Sequence, residues 1–333
     1  MRDIARATNL SQSTVSRVLN RTPTIVPIAE ETRERVIATA MALGYRPNPL
    51  ARGLRGASTM LLGVIVRDIT DPFFAGAVDA VTAAAASRGY NVVLGHAHAR
   101  AAEAITLWGV LEARHCDAIL LLGDMRDQPR LLEDLAGAHV PVVAMWQGTQ
   151  TSDVASVAVD NEAGIRAVLD HLTELGHRRI AFVGGRRLGD IKEREEAFVH
   201  YLEQRRDTLP DGYLQHGAND PQSAITALDD LLALPVPPTA VVASTDVLAV
   251  GLLHAAHQHG RRVPEQLSIT GFDDIPMATY TVPALTTVRM PVREMVEQAV
   301  RMALDQPSGN TEQTVPVLRP TLVARSSTGR VPD

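Results

Sequence analysis

The 333-residue sequence holds one cysteine, Cys116, one lysine, Lys192, and few aromatics: two Trp, five Phe and five Tyr. A lone cysteine excludes an internal disulfide and a Cys-clustered zinc site. Long apolar runs are also missing. The longest near-uninterrupted one, 60–66, is far short of the ~20 residues that cross a bilayer. The opening Met1-Arg2-Asp3-Ile4-Ala5-Arg6 lacks the apolar core of a secretory signal, so a cytoplasmic protein with no membrane partner is expected. What is present, 45% apolar and 21% charged residues, is too hydrophobic for disorder and enough for two or more domains.

The net charge of −6 gives no hint of nucleic acid, but its distribution does. Residues 1–56 carry nine Arg against four acids and stand at +5; the rest, with 23 basic and 34 acidic residues, stands at −11. A basic head on an acidic body points to a polyanion partner for the head alone. Arginine offers planar bidentate donors to phosphate or guanine, although genome composition also biases a sequence toward Arg.

Within the head, Ile4, Ala5 and Ala7 open a short helical pattern ending near Asn9-Leu10. Ser11 then stands as an N-cap before a second helix, in which Val15, Val18 and Leu19 form the buried stripe. Gln12, Ser13, Ser16 and Arg17 fall on the opposite face. This suits a helix laid in the DNA major groove, and equally a plain three-helix bundle with a solvated face; the charge asymmetry favours DNA. A third helix over 32–43 is closed by Gly44. Asn48-Pro49 is a cap followed by a first-turn proline, opening a helix over 50–55 that is too short to persist alone. Leu54, between Arg52 and Arg55, reads either as a minor-groove wedge or as a linker leucine packed on the next domain.

From residue 61 onward apolar strands are expected at 61–66, 91–95, 118–122, 140–144, 156–159, 180–184, 240–243 and 267–271. Helical patterns at 75–88, 101–114, 162–175, 194–204, 222–233 and 247–259 separate most of them. That alternation implies parallel sheets covered on both faces, arranged as two doubly wound subdomains with ligand at the strands' carboxyl ends. Asp68, Asp71, Phe73, Phe74, His96, His98, Asp124, Trp146, Asp160, Arg194, Thr245, Asp273 and Asp274 follow those strands. Aromatic faces with polar groups suit a ring-shaped polar ligand, a sugar or a nucleobase. Any one of these residues serves as plausibly as a loop or helix cap. An enzyme finds little support: there is no nucleophile elbow, and the glycine-rich 184–189 lacks the Lys-Ser/Thr of a phosphate loop. The pairs His96/His98 and His254/His257 lack an identifiable third metal ligand.

Several strings, in order and at characteristic spacing, resemble the lac-repressor/galactose-repressor family over nearly the whole chain. They include Asp3-Ile4-Ala5, Ser13-Thr14-Val15-Ser16-Arg17-Val18-Leu19-Asn20, Leu43-Gly44-Tyr45-Arg46-Pro47-Asn48 and Ala51-Arg52-Gly53-Leu54-Arg55. Asp71-Pro72-Phe73-Phe74, Val159-Asp160-Asn161-Glu162, Leu175-Gly176-His177-Arg178 and Gly271-Phe272-Asp273-Asp274 continue the match. The resemblance implies an all-α helix-turn-helix headpiece plus an α/β core of two doubly wound parallel-sheet subdomains, similar to type I periplasmic binding proteins. It implies a headpiece at 1–46, a hinge at 47–58 and a core at 59–330. The core divides into an N-subdomain (59–158, 290–317) and a C-subdomain (159–289, 318–330).

The resemblance further implies that Gln12, Ser13 and Arg17 read base edges, that Thr14 and Ser16 touch phosphate, and that Leu54 wedges the minor groove. Asn20, Asn48 and Arg52 complete the DNA-binding set. Arg194 and Asp273 grip an effector, Phe73 and Phe74 wall it, and Asp71, Trp146, Asp160 and Thr245 join them. The implied function is a homodimeric repressor on a pseudo-palindromic operator, controlled by a sugar-like effector, with no enzyme activity, cofactor or metal. Trp146 stands where sugar-binding members often carry Asp, and Thr245 replaces a common Asn. Both changes argue against a simple hexose, though Trp146 can stack on a ring. The chain starts close to its first helix, so that helix's cap is expected to be missing. The stretch 21–31 is about three residues longer than usual, and no heptad extension follows 322–327, so a dimer is expected rather than a tetramer.

Overall fold

The computed structural model describes residues 1–19, 28–45, 58–98, 100–113, 116–124, 140–146, 154–186, 189–305 and 316–331. The expectations for Asn20, Asn48, Arg52, Leu54 and the hinge helix lie outside these residues. The chain divides into two compact units, Met1–Thr59 and Met60–Asp333.

The first unit has three helices: α1 (Arg2–Thr8), α2 (Gln12–Leu19) and α3 (Glu30–Ala42). Asn9 takes a left-handed φ of 53° and stops α1. Ser11 Oγ then accepts the Thr14 N–H at 3.0 Å and caps α2. Met1 gives α1 no side-chain cap. Ile4, Val15, Val18, Val36 and Ala40 form the buried core, with Leu19 packed at its edge. Helix α3 begins two residues earlier than the sequence suggests, because Glu30 and Glu31 in its first turn favour the positive helix end.

In the second unit, β1 (Leu61–Val66), β2 (Asn91–His96), β3 (Ala118–Leu122), β4 (Val142–Met145), β5 (Ala155–Val159) and β11 (Val317–Leu318) form one sheet. Its order is β11-β5-β4-β3-β1-β2 and every pair is parallel. Leu62, Val64 and Val66 pack on the face covered by α4 (Pro72–Ser87) and α10 (Val292–Leu304). Ile65, Ile119 and Leu121 pack on the other face against Trp108 and Leu111 of α5 (Ala101–Ala113). Covering on both faces is why these strands read as continuous apolar runs.

The second sheet is β7-β6-β8-β9, also all parallel, from β6 (Ile180–Gly184), β7 (Leu214–His216), β8 (Ala240–Ala243) and β9 (Ser268–Thr270). It is flanked by α6 (Asn161–Glu174), α7 (Gly189–Arg205), α8 (Pro221–Leu232) and α9 (Asp246–Gln258). β10 (Thr287–Arg289) and β12 (Thr321–Val323) form a short antiparallel pair. Strands β7, β10, β11 and β12, two or three residues each, carry too little pattern to be read in advance. Helix α10 was also unread, although Met295, Val296, Ala299, Val300 and Ala303 recur on its buried face.

Four helices described in the second unit start at capping side chains. Asp71, Asp160, Asp220 and Thr245 accept from the backbone N–H of Phe73, Ala163, Ser223 and Leu248. These caps place the helix starts before the apolar stripes begin. Helix α7 also starts early, at Gly189 rather than Arg194, because Asp190 and Ile191 are buried in its first turn.

Candidate effector cleft and nucleic-acid interface

In the first sheet the chain runs outward from β1 to β2 and then returns to β3 on β1's other side, a topological switch between β1 and β3. The second sheet switches between β6 and β8. Ligands of doubly wound sheets bind beyond the strand ends at such points. Here both points open on one cleft. The first sheet's side contributes Arg67, Asp71, Phe73, Phe74, Gly123, Asp124 and Trp146; the second contributes Asp190, Ile191, Arg194, Asn219, Thr245 and Asp273.

Arg194 organises the second side. It is 3% exposed and donates from Nη1 to Asp273 Oδ1 (3.2 Å) and to the Ser244 carbonyl (2.7 Å), and from Nε to Asn161 Oδ1 (3.0 Å). Its guanidinium lies 3.7 Å from the Phe272 ring centroid. Asp273, held at φ 118°, is 8% exposed. Burial drives its carboxyl well above the usual range, against the lowering by Arg194. Burial also raises Asp71.

The first side is aromatic. Phe73 and Trp146 meet edge to face with centroids 5.0 Å apart, and Phe74 lies 6.1 Å from Trp146. Between them Gly123 takes φ 95°, and a Cβ there would lie 2.8 Å from Phe74 Cζ and 2.9 Å from Arg67 Cβ. Gly123→Ala is therefore expected to cost about 1–3 kcal/mol, measured by urea unfolding.

Polar contacts span the cleft: Asn219 donates from Nδ2 to Asp71 Oδ2 at 3.1 Å and accepts from Thr245 Oγ1 at 2.6 Å. Only about 50 Å³ remains open, against the ~300–1,000 Å³ of ordinary small-molecule sites. The sheets are thus closed on one another, and a ligand of ring size needs them to part or the side chains to swing.

Seven of the eight effector residues expected from sequence meet here: Asp71, Phe73, Phe74, Trp146, Arg194, Thr245 and Asp273. Asp160 is a correction. Its carboxylate is taken up by capping α6, and it borders a separate groove with Glu162, Glu193, Glu196 and His200. Asp71 and Thr245 are caps as well as cleft residues, so capping and lining do not exclude each other. Arg67, Asp190 and Asn219 were missed. Arg67 directly follows β1 and was readable by the strand-end rule; Asn219 follows β7, too short to see; Asp190 precedes Arg194 by one helical turn. His96 and His98 stack at 3.8 Å, His254 and His257 are exposed, and no cluster able to hold a metal occurs among the described residues.

On α2 of the head, Gln12, Ser13 and Arg17 are exposed, while Thr14 and Ser16 are half-buried. Ser11 Oγ lies 2.7 Å from Ser13 Oγ and 2.8 Å from Thr14 Oγ1, so these hydroxyls are ordered at the helix start. No helix among the described residues is long and apolar enough to cross a membrane.

A helix-turn-helix head and a body of two doubly wound sheets around one polar-aromatic cleft define the class of ligand-responsive DNA-binding regulators. Residues 1–48 match the family described as bacterial regulatory proteins, lacI family, and residues 169–328 match the periplasmic binding protein-like domain. The transcriptional regulator GalS of Salmonella typhimurium is 34% identical over 98% of this chain and 96% of its own length. The transcriptional repressor PurR of Shigella sonnei is 31% identical over the same shares. Among solved structures, the lac repressor dimer bound to operator and an anti-inducer superposes with a TM-score of 0.86 at 25% identity, covering 98% of both chains. The regulator CelR in complex with cellobiose gives 0.72 at 29% identity, covering 97% and 98%. The chain belongs to the lacI family of bacterial transcription regulators.

Proposed function

We propose that this protein is a cytoplasmic, homodimeric repressor whose hold on a pseudo-palindromic operator is set by a small uncharged carbohydrate in the cleft. The carrying observation is the Arg194–Asp273 pair, buried where the switch points of both sheets meet. The cleft's acids, Asp71, Asp124, Asp190 and Asp273, outnumber its two arginines, Arg67 and Arg194. Such a site favours a ligand rich in hydroxyl donors. It disfavours sugar acids, and a nucleobase offers fewer donors. Asn219 supplies the amide that Thr245 lacks, and Trp146 offers a ring face. The named relatives support this class, since CelR was solved with cellobiose.

On DNA, the two α2 helices of a dimer enter successive major grooves. Gln12, Ser13 and Arg17 read bases; Thr14, Ser16, Asn20, Asn48 and Arg52 hold the backbone; Leu54 enters the minor groove at the centre. We take the head as 1–46, the hinge as 47–58 and the core as 59–330, its N-subdomain being 59–158 with 290–317 and its C-subdomain 159–289 with 318–330. The hinge couples cleft to operator, and a coupling of roughly 1–3 kcal/mol changes occupancy 5–150-fold.

Two measurements test this. In operator selection followed by titration, affinity falls steeply with salt. Arg17→Ala costs about 1–3 kcal/mol and relaxes specificity at one base position. Leu54→Ala weakens operator binding and spares non-specific binding; equal operator affinity in that variant rejects the wedge. A thermal-shift screen of neutral sugars, sugar acids and nucleobases is expected to yield a neutral sugar that stabilises wild type but not Asp273→Ala.

A further inference from the structure

The register of the first sheet places Val66 opposite Leu122 and Leu122 opposite Met145. The next residues, Arg67, Gly123 and Trp146, therefore stand side by side across three neighbouring strands, and the hydrogen bonds Arg67 N–H to Leu122 O and Gly123 N–H to Met145 O continue that row. With strands about 4.8 Å apart, the two outer backbones are separated by roughly 10 Å. Gly123 leaves the middle of the row without a side chain.

Both outer members carry a buried donor with no hydrogen-bond partner among the described residues, Arg67 Nε and Trp146 Nε1. Trp146 as a whole is only 4% exposed. Orphaned buried donors are rare in folded proteins, because each forfeits its hydration without compensation. Trp146 moreover sits at φ 58°, a left-handed conformation unfavourable for a bulky side chain, where it is braced by Phe73 and Phe74. Strain of this kind collects at ligand clamps. Two donors unmet among the described residues and a strained backbone thus share one row on the floor of the cleft.

We infer that Arg67 and Trp146 are specificity-determining donors that together read an acceptor oxygen of the bound ligand, the ring ether oxygen of a neutral carbohydrate. This rests on the ligand reading proposed above and extends it to residues on the opposite side of the cleft from Arg194. Neither group can accept a hydrogen bond, so the partner atom must be an acceptor. Asp71 beside Arg67 offsets its charge, which favours an uncharged oxygen over a carboxylate. The bare position at Gly123 is filled by the Phe74 ring and the Arg67 stem, so the ligand reaches the two donors only when the cleft opens.

The test uses the full chain, the variants Arg67→Met and Trp146→Phe, and the probes D-glucose, D-galactose and cellobiose. Myo-inositol serves as a control that has the hydroxyls but no ring oxygen. Each variant keeps a stem or ring in place and removes the N–H. A sugar that binds wild type is expected to lose about ten- to a hundredfold in affinity in either variant, while any binding of myo-inositol is unchanged. Without ligand, Arg67→Met is expected to melt at or above the wild-type temperature, since it removes an unmet donor. Sugar affinity equal to wild type in both variants overturns the inference. So does a ligand-free Arg67→Met that melts several degrees lower, because the donor then serves the fold. If no sugar binds wild type, the carbohydrate reading fails, and the ligand-free melt alone decides for or against these donors.

Discussion

Truncating Arg194 to alanine is expected to lower the stability of the body by about 3–5 kcal/mol and to abolish every ligand response. The size follows from what is left behind. Asp273 and the Ser244 carbonyl lose a donor at 3.2 and 2.7 Å, and Asn161 loses the one holding its amide. All lie where water cannot replace it, and the ring of Phe272 loses its cation. Urea unfolding followed by circular dichroism measures the loss. Pairing the change with Asp273→Asn, as Arg194→Met/Asp273→Asn, removes the stranded charge, and Asn tolerates the positive φ at that position. The double variant is expected to recover much of the stability and none of the ligand response. A single Arg194→Ala variant as stable as wild type would show that the pair is not buried in solution.

The second large effect is a pH dependence. Asp246 is wholly buried at the start of α9 and accepts from Thr287 Oγ1 at 2.5 Å and from the Ile275 N–H at 2.8 Å. Burial pushes its carboxyl from 3.8 up to about 7, outweighing those hydrogen bonds. The neighbouring Asp274 adds to the rise, and Arg325 opposes it. Asp274 is itself clamped by Arg289 and Arg325 at 2.6 Å each. Because the folded chain holds this proton more tightly than the unfolded one, the stabilisation is complete below about pH 4. It is lost progressively as pH rises through about 7. The span corresponds to roughly 4 kcal/mol. Asp273, also raised by burial, contributes a slope of the same sign. Asp246→Asn mimics the protonated form, so at pH 8 it is expected to be more stable than wild type, with a flatter profile. Subtracting the two urea-stability curves between pH 5 and 8 isolates Asp246; a difference that does not grow with pH would refute its titration in this range.

The same loop ties Asp246 to the cleft. Asp273 and Asp274 both take positive φ, 118° and 55°. Asp246 bonded to the Ile275 N–H, with Asp274 bonded to two arginines, holds that strained turn from behind. The turn in turn presents Asp273 to Arg194.

How much of this was legible depended on the range of the interaction involved. Strands 61–66, 118–122, 180–184 and 240–243 coincide with the structure to the residue, because a strand buried on both faces must be apolar throughout. Val15 and Val18 identified the inner face of α2 and, by exclusion, the exposed Gln12, Ser13 and Arg17. Asp160 could not be sorted in advance because an acid after a strand satisfies capping and ligand binding alike; its place on a separate groove, outside the cleft, is visible only in the fold. Arg67 and Trp146 became a pair only once β1, β3 and β4 were seen side by side, since 79 positions of sequence separate them.

Local chemistry alone was thus sufficient for the basic head and the alternation of strands and helices, while choosing cleft residues among the strand-end side chains needed the family resemblance. Composition, periodicity and capping act over a few residues and are written directly in their order. Strand order, register and the facing of two switch points belong to the folded chain, because they arise from contacts between segments far apart in sequence. Those contacts decide which carboxylates are buried and which side chains face one another across the cleft.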